Sequence, residues 1–207
     1  ELFANDIDVP SDISSAAFFM AAAILVPNSE LILENVGINP TRDGIIRVLK
    51  DMGANIEIIN QTDSFEPVAD IKVAYSKLHA TCIGGDIIPT LIDELPLLAA
   101  LASLADGTTV IKDALELKVK ESNRIRVMCE ELSKLGDDVD ETEDRMEIKG
   151  ADKLKGNVTI ATHDDHRIAM TFAVLNLISD GEIRLDNKKW VEISYPDFFN
   201  ELNKVNI

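Results

Sequence analysis

Three stretches of the chain are almost wholly apolar, and each is followed by a turn and a short run of β-forming residues. The stretches cover residues 14–25, 95–104 and 168–178. A helix that is apolar on all its faces is usually buried, so we expect three helices that pack against one another. Asp12 stands just before the first of them and is a suitable N-cap.

A second set of elements follows each apolar helix in the same order. Short strands are expected at residues 31–33, 108–111 and 182–185. Second helices are expected from helical spacing at residues 42–52 and 122–135, and from a Ser194 N-cap with Pro196 in the first turn at residues 194–202. Gly53 and Gly136 are expected to end the first two of these helices. Further strands are expected at residues 55–58, 137–140 and 145–148, the last two as a hairpin.

The repeated order of elements predicts the fold class. The units span about residues 10–80, 81–155 and 156–207, a period far longer than that of solenoid repeats. No linker rich in Pro, Gly or Ser interrupts the chain. We therefore expect one α/β (α+β) domain over residues 1–207 with pseudo-threefold symmetry. Its apolar helices would lie at the centre and its sheets outside, each with one face to solvent.

The charge of the chain restricts its partners. Lys and Arg number 20 against 37 Asp and Glu, which gives a formal net charge of −17. An acidic surface repels nucleic acid and anionic membranes, so neither is expected as a partner. An anionic substrate would have to be held by a local cluster of basic residues.

Other bulk features favour a cytoplasmic location. The longest apolar run, residues 16–26, is too short to span a bilayer and follows aspartates rather than a basic segment, unlike a signal peptide. The two cysteines form no Cys-x-x-Cys motif, which argues against a zinc site or a disulfide framework and favours a reducing compartment. The chain opens at Glu1 without a methionine, which is typical of a piece excised from a longer protein.

Two adjacent carboxylates, Asp93 and Glu94, lie directly before the second apolar helix. Carboxylates at a helix start are commonly N-caps that are also well placed in the field of the helix dipole. Taken alone, this capping interpretation is the better one for both residues.

A denser cluster of charges lies at residues 116–124. Lys118 and Lys120 alternate on a segment that we expect to be extended, so their side chains would share a face. Glu121 is expected to start the following helix, with Arg124 one turn on and on the same side. A helix N-terminus flanked by Lys and Arg suits a phosphate or carboxylate ligand. A capping box with solvated charges is an equally good interpretation of the same residues.

A third cluster opens the third apolar helix with His163, Asp164, Asp165, His166 and Arg167. The aspartates could again be caps, but the number of adjacent charged or titratable residues exceeds what capping needs. Arg167 at the positive end of a helix is suited to an anion. His163, Asp165 and His166 are of metal-ligating types, yet no further carboxylate or His follows at helical spacing, so no metal is expected.

These clusters occupy equivalent ends of the repeated units. Two of them precede a first helix and one precedes a second helix. In a threefold arrangement such ends converge on one face. The sequence therefore predicts one site that is rich in acidic, basic and anion-binding groups.

The sequence also resembles a known family. The stretches that carry the resemblance are SDISSAAFFMAAAIL, GDIIPTLIDELPLLAALA, IKDALELKVKESNRI, THDDHRIAMTFA and ISYPDFF. In this order they are similar to the carboxy-terminal half of the EPSP synthase (3-phosphoshikimate 1-carboxyvinyltransferase) family, and the resemblance covers essentially the whole chain. It implies the enolpyruvyl transferase fold, an inside-out α/β barrel-like domain of three βαβαββ units. It also implies a second, amino-terminal domain that is absent from this chain.

The resemblance implies transfer of the enolpyruvyl group of phosphoenolpyruvate to the 5-hydroxyl of shikimate 3-phosphate, between the two domains and without a cofactor. This chain would hold half of the active site and be inactive alone. The residues that the resemblance assigns are Asp93 as general base and shikimate 3-phosphate contact, Glu116 and Lys120 as further shikimate 3-phosphate contacts, Glu121 as acid, Arg124 and Arg167 as phosphoenolpyruvate ligands, and Asp165 and His166 as supporting residues.

The chain departs from the family pattern at three places, and two alternatives stay open. Ile193 stands where the family often has a lysine, with Lys188 and Lys189 out of register, and Asp164 and Ser11 stand where glycines are usual. The first alternative is the related UDP-N-acetylglucosamine enolpyruvyl transferase, which lacks the Lys-x-Lys-Glu-Ser/Thr-x-Arg and Asp-His-Arg motifs. The second is a non-catalytic scaffold of three modules; a ring around nucleic acid would need a basic inner surface.

Overall fold

The computed structural model describes residues 8–62 and 66–205, which form a mixed helical and strand structure. The helices are α1 (Ile13–Leu25), α2 (Gly44–Asp51), α3 (Leu95–Ala102), α4 (Arg124–Lys134), α5 (His166–Leu175), α6 (Lys189–Ser194) and α7 (Phe198–Lys204). The strands are β1 (Glu30–Gly37), β2 (Asn55–Thr62), β3 (Val68–Ala74), β4 (Cys82–Ile83), β5 (Thr108–Ile111), β6 (Asp138–Glu141), β7 (Met146–Lys149), β8 (Val158–Ile160) and β9 (Ile183–Leu185). Short 3-10 helices cover Gly85–Thr90 and Leu115–Val119.

The three apolar stretches form helices that pack against one another at the centre, as predicted. Helices α1, α3 and α5 contact each other pairwise, and side chains such as Met20, Leu98 and Phe172 are fully buried. The many alanines of α1 allow close approach of the neighbouring helices. The Asp12 carboxylate accepts a hydrogen bond from the Ser15 N–H at 3.0 Å, so the predicted N-cap is confirmed.

Three sheets surround the central helices. Their strand orders are β1-β3-β2, β4-β5-β7-β6 and β8-β9. The opening strand of a unit pairs in parallel with the strand after its first helix, as β4 does with β5 and β8 with β9. In the first unit a single parallel bridge between Ser11 and Val36 takes this place. The fold class is the predicted one, with helices inside and sheets outside.

The second unit has the full βαβαββ order, whereas the other two are shorter within the described residues. The first unit opens with the Ser11 bridge rather than a strand, and the third ends with α7 where the others have a hairpin. Strands β3, β4 and β8 were not predicted from the sequence. Two of them have only two or three residues, so their extended form depends on pairing with a neighbour rather than on their own pattern.

Several predicted boundaries are wrong, for local reasons. The segment expected to be extended before α4 is a 3-10 helix anchored by the buried Leu117, so Lys118 and Lys120 do not alternate on one face. Glu121 does not start α4, because Asn123 is the N-cap and accepts from the Arg126 N–H at 3.2 Å. Ser194 ends α6 instead of opening a helix.

Two glycines end second helices as predicted. Gly53 follows α2 with a φ of 90°, and Gly136 follows α4 with a φ of 93°. Only glycine adopts this left-handed conformation at little cost, so it allows the chain to turn into β2 and β6.

The residue after Gly136 is a buried carboxyl group that should make stability depend on pH. Neither oxygen of Asp137 has a hydrogen-bond partner within the described residues, since the neighbouring Ser103 hydroxyl donates to the Ala100 carbonyl at 2.8 Å. Burial raises the pKa of Asp137 from 3.8 to about 7, although Ser103 lowers it in part. Ionising this group in the folded chain is therefore unfavourable.

We expect the contribution of Asp137 to the free energy of unfolding to fall as pH rises from about 4 to about 7, because the carboxyl ionises first in the unfolded chain. Asp137→Asn should match the wild type at pH 4 and be more stable by roughly 2–4 kcal/mol at pH 8. Chemical denaturation at both pH values measures the difference. Asp138→Asn is the matched control, since its side chain is exposed; an equal gain from both variants would contradict the explanation.

Candidate active site

The amino-terminal ends of α3, α4 and α5 meet at one place, where Arg124 at the start of α4 contacts both Asp93 and Asp165. The Arg167 guanidinium at the start of α5 donates from Nη1 to the Asp93 carbonyl oxygen before α3 at 3.3 Å. Its Nη1 also lies 3.6 Å from a carboxylate oxygen of Glu94. The predicted convergence of the three charged clusters is therefore present in the structure.

Arg124 occupies the centre of the cluster and is fully buried. Its Nε donates to Asp165 at 2.8 Å and its Nη2 to the other Asp165 oxygen at 3.2 Å. Its Nη1 donates to Asp93 at 3.2 Å and its Nη2 to Glu121 at 2.6 Å. Burial lowers its pKa, but Asp165, Glu121 and Asp93 outweigh burial and raise the pKa overall. One guanidinium thus holds three carboxylates in place.

Asp165 is a fully buried carboxylate that serves both the helix and the site. It is the N-cap of α5 and accepts from the Arg167 N–H at 3.0 Å. The Ser122 hydroxyl donates to it at 2.9 Å. Burial raises its pKa, but Arg124, Ser122 and the Arg167 N–H together lower it below the usual value. Asp165 therefore caps helix α5 and also holds the Arg124 guanidinium of the site.

Asp93 is partly exposed and faces three cations. Its carboxylate lies 3.2 Å from Arg124 Nη1, 3.6 Å from Lys120 Nζ and 3.6 Å from Arg167 Nη2. Burial raises its pKa, but Arg167, Lys120 and Arg124 outweigh burial and hold the pKa below its usual value. Asp93 makes no side-chain cap of α3, so capping does not explain its position. It is an ionised carboxylate with one side open.

Lys120 and Glu116 form the outer edge of the cluster. The Lys120 ammonium lies 3.0 Å from a Glu116 oxygen, and its side chain is mostly buried while that of Glu116 is 62% exposed. Burial lowers the pKa of Lys120, but Glu116 and Asp93 raise it overall, so the ammonium is charged at neutral pH. Lys118 has no ion pair with this cluster.

Glu121 and His166 differ in how the cluster holds them. The Glu121 side chain is 48% exposed and its carboxylate is held by Arg124. His166 is half-buried, and burial and the neighbouring Arg167 lower its pKa below 6.5, so its imidazole is neutral at pH 7. Of the two, Glu121 contacts the central guanidinium of Arg124, at 2.6 Å.

The cations of the cluster are already paired with carboxylates without a ligand, and the carboxylates outnumber the cations five to three. Three cations, Lys120, Arg124 and Arg167, are matched by carboxylates on every side. An anion that binds here must therefore compete with a carboxylate for its cation. Residues 8–62 and 66–205 contain no group of His, Cys, Asp and Glu arranged to hold a metal ion, and no helix among them is long and apolar enough to cross a membrane.

Comparison with known proteins gives a family for this fold and cluster. The family model for EPSP synthase (3-phosphoshikimate 1-carboxyvinyltransferase) matches residues 2–202. The chain belongs to the EPSP synthase family. It is 52% identical over 206 residues to the 3-phosphoshikimate 1-carboxyvinyltransferase of Bacillus subtilis strain 168, covering 99% of this chain and 48% of that protein. Identity to the Geobacillus kaustophilus protein of the same name is 54% over 201 residues, with 96% and 47% covered.

Solved structures agree with the EPSP synthase assignment. The EPSP synthase of Acinetobacter baumannii superimposes with a TM-score of 0.91 at 42% identity, covering 95% of this chain and 46% of that one. The enolpyruvyl transferase NikO of Streptomyces tendae has a TM-score of 0.72 at 16% identity, which shows a shared fold. The enolpyruvyl transferase fold is therefore confirmed. The chain spans about half the length of the curated relatives it matches.

Two of the departures from the EPSP synthase pattern, Asp164 and Ile193, lie near the start of α5 and at the end of α6. Asp164 adopts a φ of 57°, a conformation that aspartate tolerates better than most residues, and its carboxylate accepts from Trp190 Nε1 at 2.6 Å. Ile193 is 75% exposed. The Lys188 ammonium lies 5.0 Å from the ring centre of Phe199.

Sequence analysis missed some members of the cluster. Ser122 was within a motif that we quoted, but nothing in its spacing indicated a bond to Asp165, which lies 43 residues further on. Glu94 was interpreted only as a cap, whereas it occupies the N-cap position of α3 without any side-chain cap hydrogen bond. Its almost complete burial has no signal in the sequence, because a Glu before an apolar helix is usually solvated.

Proposed function

We propose that this chain supplies half of the active site for transfer of the enolpyruvyl group of phosphoenolpyruvate to the 5-hydroxyl of shikimate 3-phosphate, with release of phosphate. Membership of the EPSP synthase family supports this function. The single observation that carries it is the meeting of the partly exposed Asp93 carboxylate with Lys120, Arg124 and Arg167. Such a site offers a base beside groups that bind anions.

Two carboxylates can carry the proton transfers of this reaction. In the addition step Asp93 accepts the proton of the 5-hydroxyl as its oxygen forms a bond to C2 of the enolpyruvyl group, and Glu121 delivers a proton to C3. In the elimination step Glu121 takes a proton back from C3, the bond between C2 and the phosphate oxygen breaks, and phosphate departs with the proton that Asp93 had accepted. The two groups need opposite protonation states, and the three cations around Asp93 hold it in the ionised state that a base requires.

The cations that bind the anionic substrates are those whose side chains are partly exposed to solvent. The side chain of Arg167 is 16% exposed and that of Lys120 is 22% exposed, which suits them to phosphoenolpyruvate and shikimate 3-phosphate respectively. Arg124 is fully buried. In this arrangement it acts on the reaction by holding Asp93 and Glu121, and direct contact with phosphoenolpyruvate requires it to release one of them. A guanidinium, which can form two parallel hydrogen bonds to a carboxylate or a phosphate, is better suited than an ammonium to replacing one such partner by another.

The second half of the site is proposed to come from an amino-terminal domain. The relatives are about twice as long as this chain, and substrates would lie between the two domains. We call this chain together with such an amino-terminal half the complete enzyme. Neither of the earlier alternatives is favoured, since the curated relatives at about 50% identity are 3-phosphoshikimate 1-carboxyvinyltransferases.

The acceptor and the role of Arg167 can be tested together on the complete enzyme. We expect phosphate release from phosphoenolpyruvate with shikimate 3-phosphate but not with UDP-N-acetylglucosamine. Arg167→Ala should raise the KM for phosphoenolpyruvate about 10–100-fold, because it removes a charge-assisted hydrogen bond. Arg126→Ala is the matched control, an exposed arginine on α4 that pairs with Glu130. Turnover with the nucleotide sugar, or equal KM values for both variants, would refute the proposal.

A further inference from the structure

Glu94 is a buried acidic residue at the point where the three units meet. Only 5% of it is exposed, and its Oε1 has no hydrogen-bond partner within the described residues. The same oxygen lies 3.6 Å from Arg167 Nη1. A carboxylate buried without full hydrogen bonding is costly, so its retention at this position calls for a physical explanation.

Helix capping does not supply that explanation. Glu94 occupies the N-cap position of α3, but its side chain makes no cap hydrogen bond. Its backbone groups are both hydrogen-bonded: the N–H donates to the Leu91 carbonyl, and the carbonyl accepts the helical hydrogen bond from the Leu98 N–H. The side chain is instead directed at the guanidinium of the third unit. The proton transfers proposed above do not use it.

The charges around Glu94 come from all three units. Arg167 faces it from α5, Asp93 precedes it in the chain, and Arg42 approaches from the loop before α2 while bound to Asp12 and Ser14. Burial raises the pKa of Glu94, Asp93 adds to the rise, and Ser14, Arg167 and Arg42 oppose it; the net direction is upward. The ionised form of Glu94 thus depends on the Ser14 hydrogen bond first and on the positive charge of Arg167 next.

We propose that Glu94 is a positioning residue that holds Arg167 in the absence of substrate, competes with a bound anion for that guanidinium, and takes up a proton when the anion binds. An anion on Arg167 removes the positive charge that compensates Glu94 and adds a negative charge nearby. Both changes favour the neutral carboxyl. The proton comes from solvent, and binding and protonation are coupled reciprocally.

This inference rests on the proposed function only in taking phosphoenolpyruvate as the anion. Glu94→Gln mimics the protonated form, so in the complete enzyme the ratio of the wild-type KM for phosphoenolpyruvate to that of the variant should rise with pH. We expect the ratio to be smallest at the lowest pH at which the enzyme is stable and to rise to roughly tenfold at pH 9, with kcat nearly unchanged. The titration of phosphoenolpyruvate itself affects both proteins equally and cancels in the ratio.

The control is Glu130→Gln, which removes the same charge from an exposed site on α4 and should give a ratio of one at every pH. A flat ratio for Glu94→Gln, or a fall in kcat with no change in KM, would overturn the inference. Glu94→Asp keeps the charge and should retain most of the pH dependence of the wild type.

A second measurement needs no change at Glu94. Titration of the wild-type complete enzyme with sulfate, whose protonation is constant at neutral pH, can be followed by calorimetry in buffers of different ionisation heat. We expect uptake of a fraction of a proton per sulfate bound near pH 7, and none in Arg167→Ala. Sulfate binding without proton uptake would overturn the inference. An enzyme that binds sulfate with proton uptake but lacks turnover would instead contradict the proposed function alone.

Discussion

Asp93→Asn and Glu121→Gln are each expected to lower the turnover number of the complete enzyme about 10²–10⁴-fold, the usual contribution of a general acid or base. Each change removes a proton-transfer group while it keeps the size of the side chain. The KM values should change much less than kcat, since Arg167 and Lys120 remain. Steady-state kinetics with each substrate varied in turn gives both constants.

The competing explanation for these carboxylates is a purely structural one, and it makes a different prediction. If they served only to pair with the buried Arg124, each change would lower the free energy of unfolding and leave turnover nearly normal. Glu116→Gln provides a comparison, because Glu116 is mostly exposed and contacts Lys120 at the edge of the cluster; its effect should fall on shikimate 3-phosphate binding. A lowered melting temperature with preserved turnover in Asp93→Asn would rule out the catalytic assignment.

Arg124→Ala is expected to destabilise the chain by about 3–5 kcal/mol, the usual consequence of removing one partner of a buried ion pair. Asp165 would be left fully buried without its guanidinium. Arg124 and hydrogen bonds hold the pKa of Asp165 low in the wild type, against the effect of burial. The ion pair therefore stabilises the folded chain above the ordinary aspartate pKa, and that stabilisation is lost as pH falls.

In the Arg124→Ala variant this pH dependence should reverse in sign. Burial would then dominate the pKa of Asp165, so the variant should gain stability as pH falls and the carboxyl becomes protonated. Adding Asp165→Asn to Arg124→Ala should recover part of the loss, because the unpaired charge is gone. Denaturant unfolding of the single and double variants at pH 5 and pH 8 measures this. Strictly additive losses, or a loss no larger than that of the exposed Arg126→Ala, would contradict the described role of Arg124.

The central helices were predictable because their apolar pattern does not depend on which neighbours cover it. The apolar residues 14–25 predict a helix that is buried whichever elements cover it, and α1 is buried on nearly every face. The short strands β4 and β8 were missed because pairing with a distant segment defines them. Ser194 was misread since a Ser before a Pro is a common helix start, whereas here the chain leaves α6 at that point.

The sequence predicted which residues form the site better than it predicted how they are buried and paired. Repetition of the units implied that three charged clusters would meet, and Asp93, Arg124 and Arg167 do lie together. The sequence did not indicate that Arg124 would be buried beneath the carboxylates, because its partner Asp165 is 41 residues away. Nor did the sequence indicate that the Glu94 side chain would be buried away from solvent. Both facts depend on how closely the helix ends approach one another.

The most direct test of the central claim measures phosphate release from phosphoenolpyruvate and shikimate 3-phosphate by three preparations. They are this chain alone, the amino-terminal half alone, and the two halves together or joined as the complete enzyme. We predict release only where both halves are present, because stabilisation of the transition state requires groups from both sides of the site. Release by this chain alone at a rate near that of the complete enzyme, or no release by the complete enzyme, would contradict the account.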